Sequence, residues 1–144
     1  MKKYVIGVLV SQEYKDFLKI KETIFNAKKQ LNGSVEICQI TENNMYPQVK
    51  KFVNSIDILY TDVLRYDEEF NINSHDQNEY KFSKKYHPKY FHMRNSNFVS
   101  YCDGIFAFTT NTVNKKSAIY NILKLAVSKK INLKIFKWYL LEQN

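Results

Sequence analysis

The stretch Tyr4–Val10 (YVIGVLV) decides the fold class of this chain. It is a short, continuous apolar run, which is typical of a β-strand covered by helices on both faces, as in parallel sheets. A helical pattern follows, with apolar residues every three or four positions from Phe17 to Leu31, and Asn32-Gly33 supplies a helix stop. A buried strand that leads into an amphipathic helix is the opening unit of an α/β protein.

The same alternation continues along the chain. Further strands are predicted at Val35–Ile40, Ile56–Tyr60, Gly104–Phe108 and Leu133–Trp138. Further helices are predicted after Asn43 and Asn44, which can cap a helix with Pro47 in its first turn, at Phe91–Tyr101, and along the stripe Ile119, Ile122, Leu123, Ala126 and Val127. This order predicts one Rossmann-like domain over residues 1–144, a three-layer α/β sandwich with a five-stranded, mostly parallel sheet.

Residues 61–90 interrupt the pattern. This segment is polar and charged, and it is too long for a routine connection between two elements. Disordered segments are poor in aromatic residues, so we expect an aromatic-rich insert that folds onto the domain as a lid or as a contact with another copy of the chain. Its aromatic residues are Tyr66, Phe70, Tyr80, Phe82, Tyr86 and Tyr90.

The net charge of +8 indicates an anionic partner: a nucleotide, a nucleic acid or an acidic protein. Only Arg65 and Arg94 carry the planar guanidinium that suits phosphates and bases, so the charge supports a nucleotide-type small molecule more than a nucleic acid. The sequence has no apolar run near membrane-spanning length and no leader pattern. We therefore expect a cytoplasmic protein that does not associate with a membrane. Cys38 and Cys102 are then predicted to be buried free thiols.

Open parallel sheets bind ligands beyond the carboxyl ends of their strands, where helix amino termini favour phosphate. Four segments should lie there, and none carries a glycine-rich phosphate motif: Ser11–Tyr14, Thr41–Asn44, the segment from Thr61 onward, and Thr109–Asn114. Arg94 and Asn95, near a helix start, can grip a phosphate. Alternatively, Arg94 forms a salt bridge that ties its helix to the insert, with Asp62 or Asp67 as the partner. The predicted ligand-binding residues are Ser11, Gln12, Tyr14, Asn43, Asn44, Arg94, Asn95, Thr109, Thr110 and Asn111.

No catalytic residue, metal site or cofactor is predicted. The chain has three histidines, His75, His87 and His92, and they show no metal-ligand motif. Cys102 has no base partner in the sequence pattern that would make it a nucleophile.

Two segments carry a family resemblance. The segment Ser11–Asp16 (SQEYKD) resembles the Ser-Arg-x-Tyr/Phe-x-Asp opening of the SLOG superfamily, a Rossmann-like group. The segment Arg94–Phe108 (RNSNFVSYCDGIFAF) resembles that group's Arg-Asn-x-x-Met-x-x-x-Ala-Asp-x-x-Ile-Ala-Phe motif. The group's glycine-rich loop after the second strand is missing, since Thr41–Asn44 stands there. The resemblance therefore implies the fold and a nucleotide-class ligand rather than a reaction.

These observations favour a non-catalytic domain that senses or sequesters a nucleotide or a nucleotide-derived ligand. The Lys-, Asn-, Ile- and Tyr-rich composition suggests a viral (phage) or mobile-element origin. One alternative is an enzyme that cleaves N-glycosidic bonds of nucleosides or nucleotides, with Glu13, Glu42 or Asp103 as its carboxylates. The other is an interaction module with a degenerate ligand site, whose insert binds a protein partner or a second copy in a homo-oligomer.

Overall fold

A computed structural model describes residues 3–65, 88–110 and 114–138 of the chain. In these ranges five parallel strands and four helices form an α/β, Rossmann-like sandwich. The strands are β1 (Tyr4–Val10), β2 (Val35–Gln39), β3 (Leu59–Asp62), β4 (Gly104–Thr110) and β5 (Asn132–Trp138). The helices are α1 (Phe17–Gln30), α2 (Tyr46–Ser55), α3 (Pro88–Tyr101) and α4 (Ala118–Ser128). The predicted fold class is confirmed.

The sheet has the strand order β3-β2-β1-β4-β5, and every neighbouring pair is parallel. The chain builds outward from β1 to β3 and then crosses back to place β4 on the other side of β1. In β1, Ile6 pairs with Gly104 and Val10 with Phe108. Strand order therefore reverses between β1 and β4, which is where open parallel sheets form a ligand crevice at their carboxyl edge.

Strand β1 is buried on both faces, which explains its continuous apolar run. Ile6, Val8 and Val10 share one core cluster with side chains of α1 and α2. Val5 and Leu9 alternate with them and share the other cluster with side chains of α3 and α4. The two-residue period of a strand thus sends successive side chains into opposite layers.

Both ends of α1 are capped, and the signal at its carboxyl end was predicted. The Asp16 carboxylate accepts a hydrogen bond from the Lys19 N–H at 3.1 Å and caps the first turn. Gly33 has φ = 78°, and its N–H donates to the carbonyl of Lys28 at 2.9 Å. A glycine adopts this left-handed conformation without strain, so the predicted helix stop is confirmed.

The largest differences from the predicted strand boundaries are in β3 and β4. The third strand was predicted at Ile56–Tyr60, but Ile56 caps α2 and Asp57 turns the chain with φ = 57°, so β3 begins at Leu59. The predicted loop Thr109–Asn114 begins later, because Thr109 and Thr110 continue β4 and pair with β5. A polar residue at a strand end gives no local signal of pairing. Asn111 and most of the predicted insert (66–87) lie outside the described residues.

No helix within residues 3–65, 88–110 and 114–138 has the length and apolar character needed to cross a membrane.

Candidate functional site

A cavity of about 330 Å³ opens at the carboxyl edge of the sheet, where strand order reverses. One wall is the loop that follows β1, with Ser11, Gln12 and Glu13. Another wall of the cavity contains Glu42, which follows β2. The start of α4, at Ser117, also lines the cavity. Residues from three separate connections therefore meet in one crevice because parallel strands deliver their carboxyl ends to the same edge.

Ser11 is held firmly at this crevice. Its N–H donates to the carbonyl of Phe108 at 2.9 Å, and its own carbonyl accepts from Asn44 Nδ2 at 3.1 Å. The residue is only 4% exposed, yet its Oγ finds no hydrogen-bond partner among the residues that the structure describes. A buried hydroxyl without a partner costs about 1–3 kcal/mol, and such groups in native proteins call for an explanation.

The amino terminus of α4 lines the same cavity. Ser117 is its N-cap: the Oγ accepts from the Tyr120 N–H at 3.1 Å and donates to the Asn114 carbonyl at 2.7 Å. The N–H groups of Ala118 and Ile119, which also line the cavity, belong to the first turn, where a helix offers no internal acceptor. Those N–H groups and the positive end of the helix dipole favour an anion at this wall.

Glu42 forms a two-pronged ion pair with Arg94. Its Oε1 accepts from Nη1 at 2.7 Å, and its Oε2 accepts from Nη2 at 2.8 Å. The Arg94 side chain is completely buried, whereas 32% of the Glu42 side chain is exposed. Arg65 approaches the same carboxylate at 3.2 Å. Of the two predicted roles of Arg94, the structure displays the salt bridge, with Glu42 as its partner.

The pair belongs to a chain of polar contacts that joins both helices of one layer. Arg94 Nε donates to Asn95 Oδ1 at 2.8 Å, and Asn95 Nδ2 donates to Asn121 Oδ1 at 2.9 Å. Asn95 is fully buried, like Arg94. These contacts connect the loop after β2 to α3 and α3 to α4. In the structure the Glu42 carboxylate occupies the Nη1 and Nη2 positions of the guanidinium that an anion would otherwise bind.

Burial alone would raise the pKa of the Glu42 carboxyl. The hydrogen bonds from Arg94, together with the charges of Arg94 and Arg65, outweigh burial and hold its pKa below the ordinary value. Glu42 is therefore an ionised carboxylate at neutral pH. It can accept hydrogen bonds from a ligand, but it is poorly suited to donate a proton.

Acid should weaken the fold through this carboxylate. Because its folded pKa is lowered, Glu42 contributes stability above about pH 4.3, the ordinary value, and that stability is lost as the pH falls through 4.3 towards the folded value. We expect the free energy of unfolding, measured with urea between about pH 3 and 7, to decrease more steeply with falling pH in the parent chain than in Glu42→Gln. Glu36, whose pKa is also lowered, leaves some acid dependence in the variant. Identical pH profiles for the two proteins would contradict the expectation.

Asn43 and Asn44 hold the crevice together. Asn43 Oδ1 accepts from the Val10 N–H at 2.9 Å, and its Nδ2 donates to the Val8 carbonyl at 2.6 Å. Asn44 Nδ2 lies 3.1, 3.0 and 2.8 Å from the carbonyl oxygens of Ser11, Gln12 and Tyr14. Neither residue caps α2, whose N-cap is Met45, with φ = 63° and no side-chain hydrogen bond. In the structure both amides support the loop after β1.

The other predicted residues lie elsewhere. Tyr14 is 2% exposed and packs edge-to-face against Phe108, with ring centroids 5.6 Å apart. Thr109 and Thr110 are buried in β4 and line a separate surface pocket between α4 and β5. Of the nine predicted ligand-binding residues that the structure describes, only Ser11 and Gln12 line the crevice cavity, and Asn111 lies outside the described residues.

Four polar residues that line the cavity, Glu13, Glu42, Asn114 and Ser117, were not among the predicted binding residues. Ser117 carries a readable signal, because a serine directly before an apolar helical stripe is a common N-cap. Glu13 and Glu42 follow β1 and β2, within two loops predicted at this edge, and were named individually as carboxylates of an enzyme. Asp103 is not part of the crevice: its Oδ2 accepts from the Val5 N–H at 2.8 Å, at the amino edge of the sheet.

The described residues contain no group of three or more His, Cys, Asp or Glu side chains that could hold a metal ion. Comparison of the chain with protein-family models, with curated proteins and with solved structures finds no significant match.

Proposed function

We propose that this chain binds a nucleotide or a nucleotide-derived ligand in the crevice between β1 and β4, and that it does so without catalysis. In this role it senses or sequesters the ligand. The resemblance of Ser11–Asp16 and Arg94–Phe108 to SLOG-superfamily segments belongs to the same proposal.

The observation that carries the proposal is the buried hydroxyl of Ser11. It has no partner among the described residues, it lines the cavity, and the amino terminus of α4 lines the same cavity. A ligand oxygen that accepts from Ser11 Oγ and from the first-turn N–H groups of α4 would satisfy all of these donors at once. A phosphate has several strong acceptor oxygens and suits such a set of donors.

The other polar groups of the cavity complement the remainder of a nucleotide. The Glu42 carboxylate is kept ionised by Arg94, so it can accept hydrogen bonds from ligand hydroxyl groups such as those of a ribose. A volume of about 330 Å³ lies at the small end of the range of about 300–1,000 Å³ for ligand pockets. A mononucleotide suits this volume better than a dinucleotide does.

The state of Glu42 supports binding over bond cleavage. Both of its oxygens accept hydrogen bonds from Arg94, which lowers their basicity and their reactivity as nucleophiles. Cleavage of an N-glycosidic bond also needs an acid to protonate the leaving base, and an ionised carboxylate cannot supply that proton.

Ser11→Ala tests the proposal because it separates stability from binding. Without ligand, removal of an unsatisfied buried hydroxyl should raise the melting temperature by about 3 °C. With 5′-nucleoside monophosphates, the parent chain should show a concentration-dependent rise in melting temperature, and the variant should lose most of it. Thermal-shift measurements and equilibrium dialysis with the same nucleotides provide both readouts.

The matched control is Ser55→Ala, at the end of α2, whose Oγ donates to the Phe52 carbonyl. It should leave the nucleotide-induced shift unchanged. Inorganic phosphate alone should give a smaller shift than a nucleotide does. A parent chain that responds to no nucleotide, or a Ser11→Ala variant that binds as well as the parent, would overturn the proposal.

A second candidate is an enzyme that cleaves the N-glycosidic bond of a nucleoside or nucleotide. The observation that favours it is that two carboxylates, Glu13 and Glu42, line the cavity. Chromatography would then detect free base released from nucleotides by the parent chain, and Glu13→Gln or Glu42→Gln would abolish the release. Binding without release of base is the result expected from the first proposal.

The proposal also includes a cytoplasmic location, a viral or mobile-element origin and association with further copies of this chain. Light scattering measures the last of these directly, as the molar mass of the native protein.

A further inference from the structure

The two cysteines of the chain meet in the core, 64 residues apart in sequence. Cys38 Sγ and Cys102 Sγ lie 3.4 Å apart, and the two thiols share a hydrogen bond. Cys38 is fully buried, whereas Cys102 is 5% exposed. The separation exceeds a disulfide bond of about 2.05 Å by little more than an ångström.

The surroundings favour a small movement of Cys102 rather than of Cys38. Cys38 lies within β2, where it pairs with Gly7 of β1 and with Thr61 of β3. Cys102 follows the last residue of α3 and precedes β4, so it belongs to neither element. Its Sγ can therefore approach Cys38 without breaking a helix or a strand hydrogen bond.

We propose that Cys38 and Cys102 form a redox-modification site, which a hydroperoxide converts into an intramolecular disulfide. The bond would join β2 to the end of α3. The same two parts of the fold carry the ion pair between Glu42, after β2, and Arg94, in α3. The site is independent of the nucleotide proposal, since neither thiol lines the crevice cavity.

The reaction balances with the hydroperoxide as the only co-reactant. The Cys102 thiolate attacks a peroxide oxygen, the O–O bond breaks, and Cys102 becomes a sulfenic acid while an alcohol or water leaves. Cys38 sulfur then attacks Cys102 sulfur, the S–O bond breaks, and the departing hydroxide takes the Cys38 proton as water. The two thiols together lose two electrons, which the peroxide gains.

The order of the two steps follows from the surroundings of each sulfur. Cys102 is the slightly more exposed residue of the two and lies at the end of α3 rather than inside a strand, so we expect it to meet the oxidant first. The hydrogen bond with Cys102, together with burial, raises the pKa of the Cys38 thiol well above its ordinary value, so Cys38 forms the thiolate needed for the first step less readily. Because thiolate is the reactive form, the reaction should accelerate as the pH rises.

The experiment treats the reduced full-length chain with hydrogen peroxide under native conditions. Mass spectrometry should show the loss of two hydrogens per chain, and peptide mapping should recover a Cys38–Cys102 cross-link that dithiothreitol removes. Closing so long a loop should raise the melting temperature by about 10 °C. Cys38→Ser is the matched control: it keeps Cys102, so dimedone should trap its sulfenic acid while no cross-link forms.

Three results would overturn the inference. The first is a parent chain whose thiols react only after unfolding in denaturant. The second is a parent chain that accumulates a dimedone adduct or higher sulfur oxides without the cross-link. The third is a cross-link between separate chains, seen as a disulfide-linked dimer on a non-reducing gel.

Discussion

Gly7→Ala is expected to lower the free energy of unfolding by about 3 kcal/mol, although Gly7 lies in a strand where alanine is normally accepted. A Cβ at this position would stand 2.5 Å from Phe98 Cζ and 2.6 Å from Cys102 Sγ. Phe98 is fully buried in α3, so its ring cannot swing away into solvent. Either α3 must move away from β1 or the ring must leave its preferred rotamer. Urea unfolding of the two proteins measures the difference.

Two further variants distinguish the clash between Phe98 and a Cβ at position 7 from a general effect of replacing a glycine. Gly104→Ala should cost less than about 1 kcal/mol, because the nearest atom to its new Cβ is the Tyr4 hydroxyl at 3.0 Å, the end of a long side chain. Phe98→Leu in the Gly7→Ala background should recover only part of the loss, since it removes the ring atoms that clash but leaves the Cys102 Sγ contact. A Gly7→Ala protein as stable as the parent would show that α3 does not pack on β1 at this distance.

Gly7 also illustrates what could be predicted of the fold. The apolar run around it indicated a strand covered on both faces, and the alternation of strands and helices indicated a parallel sheet. Those patterns depend on the period of each element, which a single sequence displays directly. A glycine inside a strand signals a close backbone approach, but nothing local says which helix approaches. Phe98 lies 91 positions further along the chain, so only the folded structure pairs the two.

The position of the crevice could be predicted from the sequence, but the side chains available to a ligand there could not. Parallel strands bring their carboxyl ends to one edge, and this rule placed the loop after β1 there, with Ser11 and Gln12 at the cavity. Which polar side chains remain available to a ligand depends on hydrogen-bond partners that are distant in sequence. Asn43 and Arg94 have the chemistry of ligand-binding residues, yet Val8, Val10 and Glu42 engage them. A pattern of residue types cannot reveal that competition.

The ion pair between Arg94 and Glu42 should respond asymmetrically to the loss of either partner. Glu42→Ala leaves a fully buried guanidinium without its carboxylate, and we expect a loss of about 3 kcal/mol in the free energy of unfolding. Arg94→Met leaves a carboxylate that is 32% exposed and still lies 3.2 Å from Arg65. Water and Arg65 can compensate that charge, and the main remaining cost is that the buried Asn95 Oδ1 loses its donor, so the expected loss is about 1–2 kcal/mol.

The double variant Glu42→Ala with Arg94→Met decides whether an unpaired buried charge is the cause. It removes the guanidinium that Glu42→Ala leaves unpaired, and methionine fills much of the same volume. We therefore expect the double variant to be more stable than Glu42→Ala alone, with a coupling energy of about 2 kcal/mol in a double-mutant cycle. Urea unfolding of all four proteins at neutral pH gives this value. Equal losses in the two single variants, or losses that add in the double variant, would mean that the guanidinium is adequately solvated without Glu42.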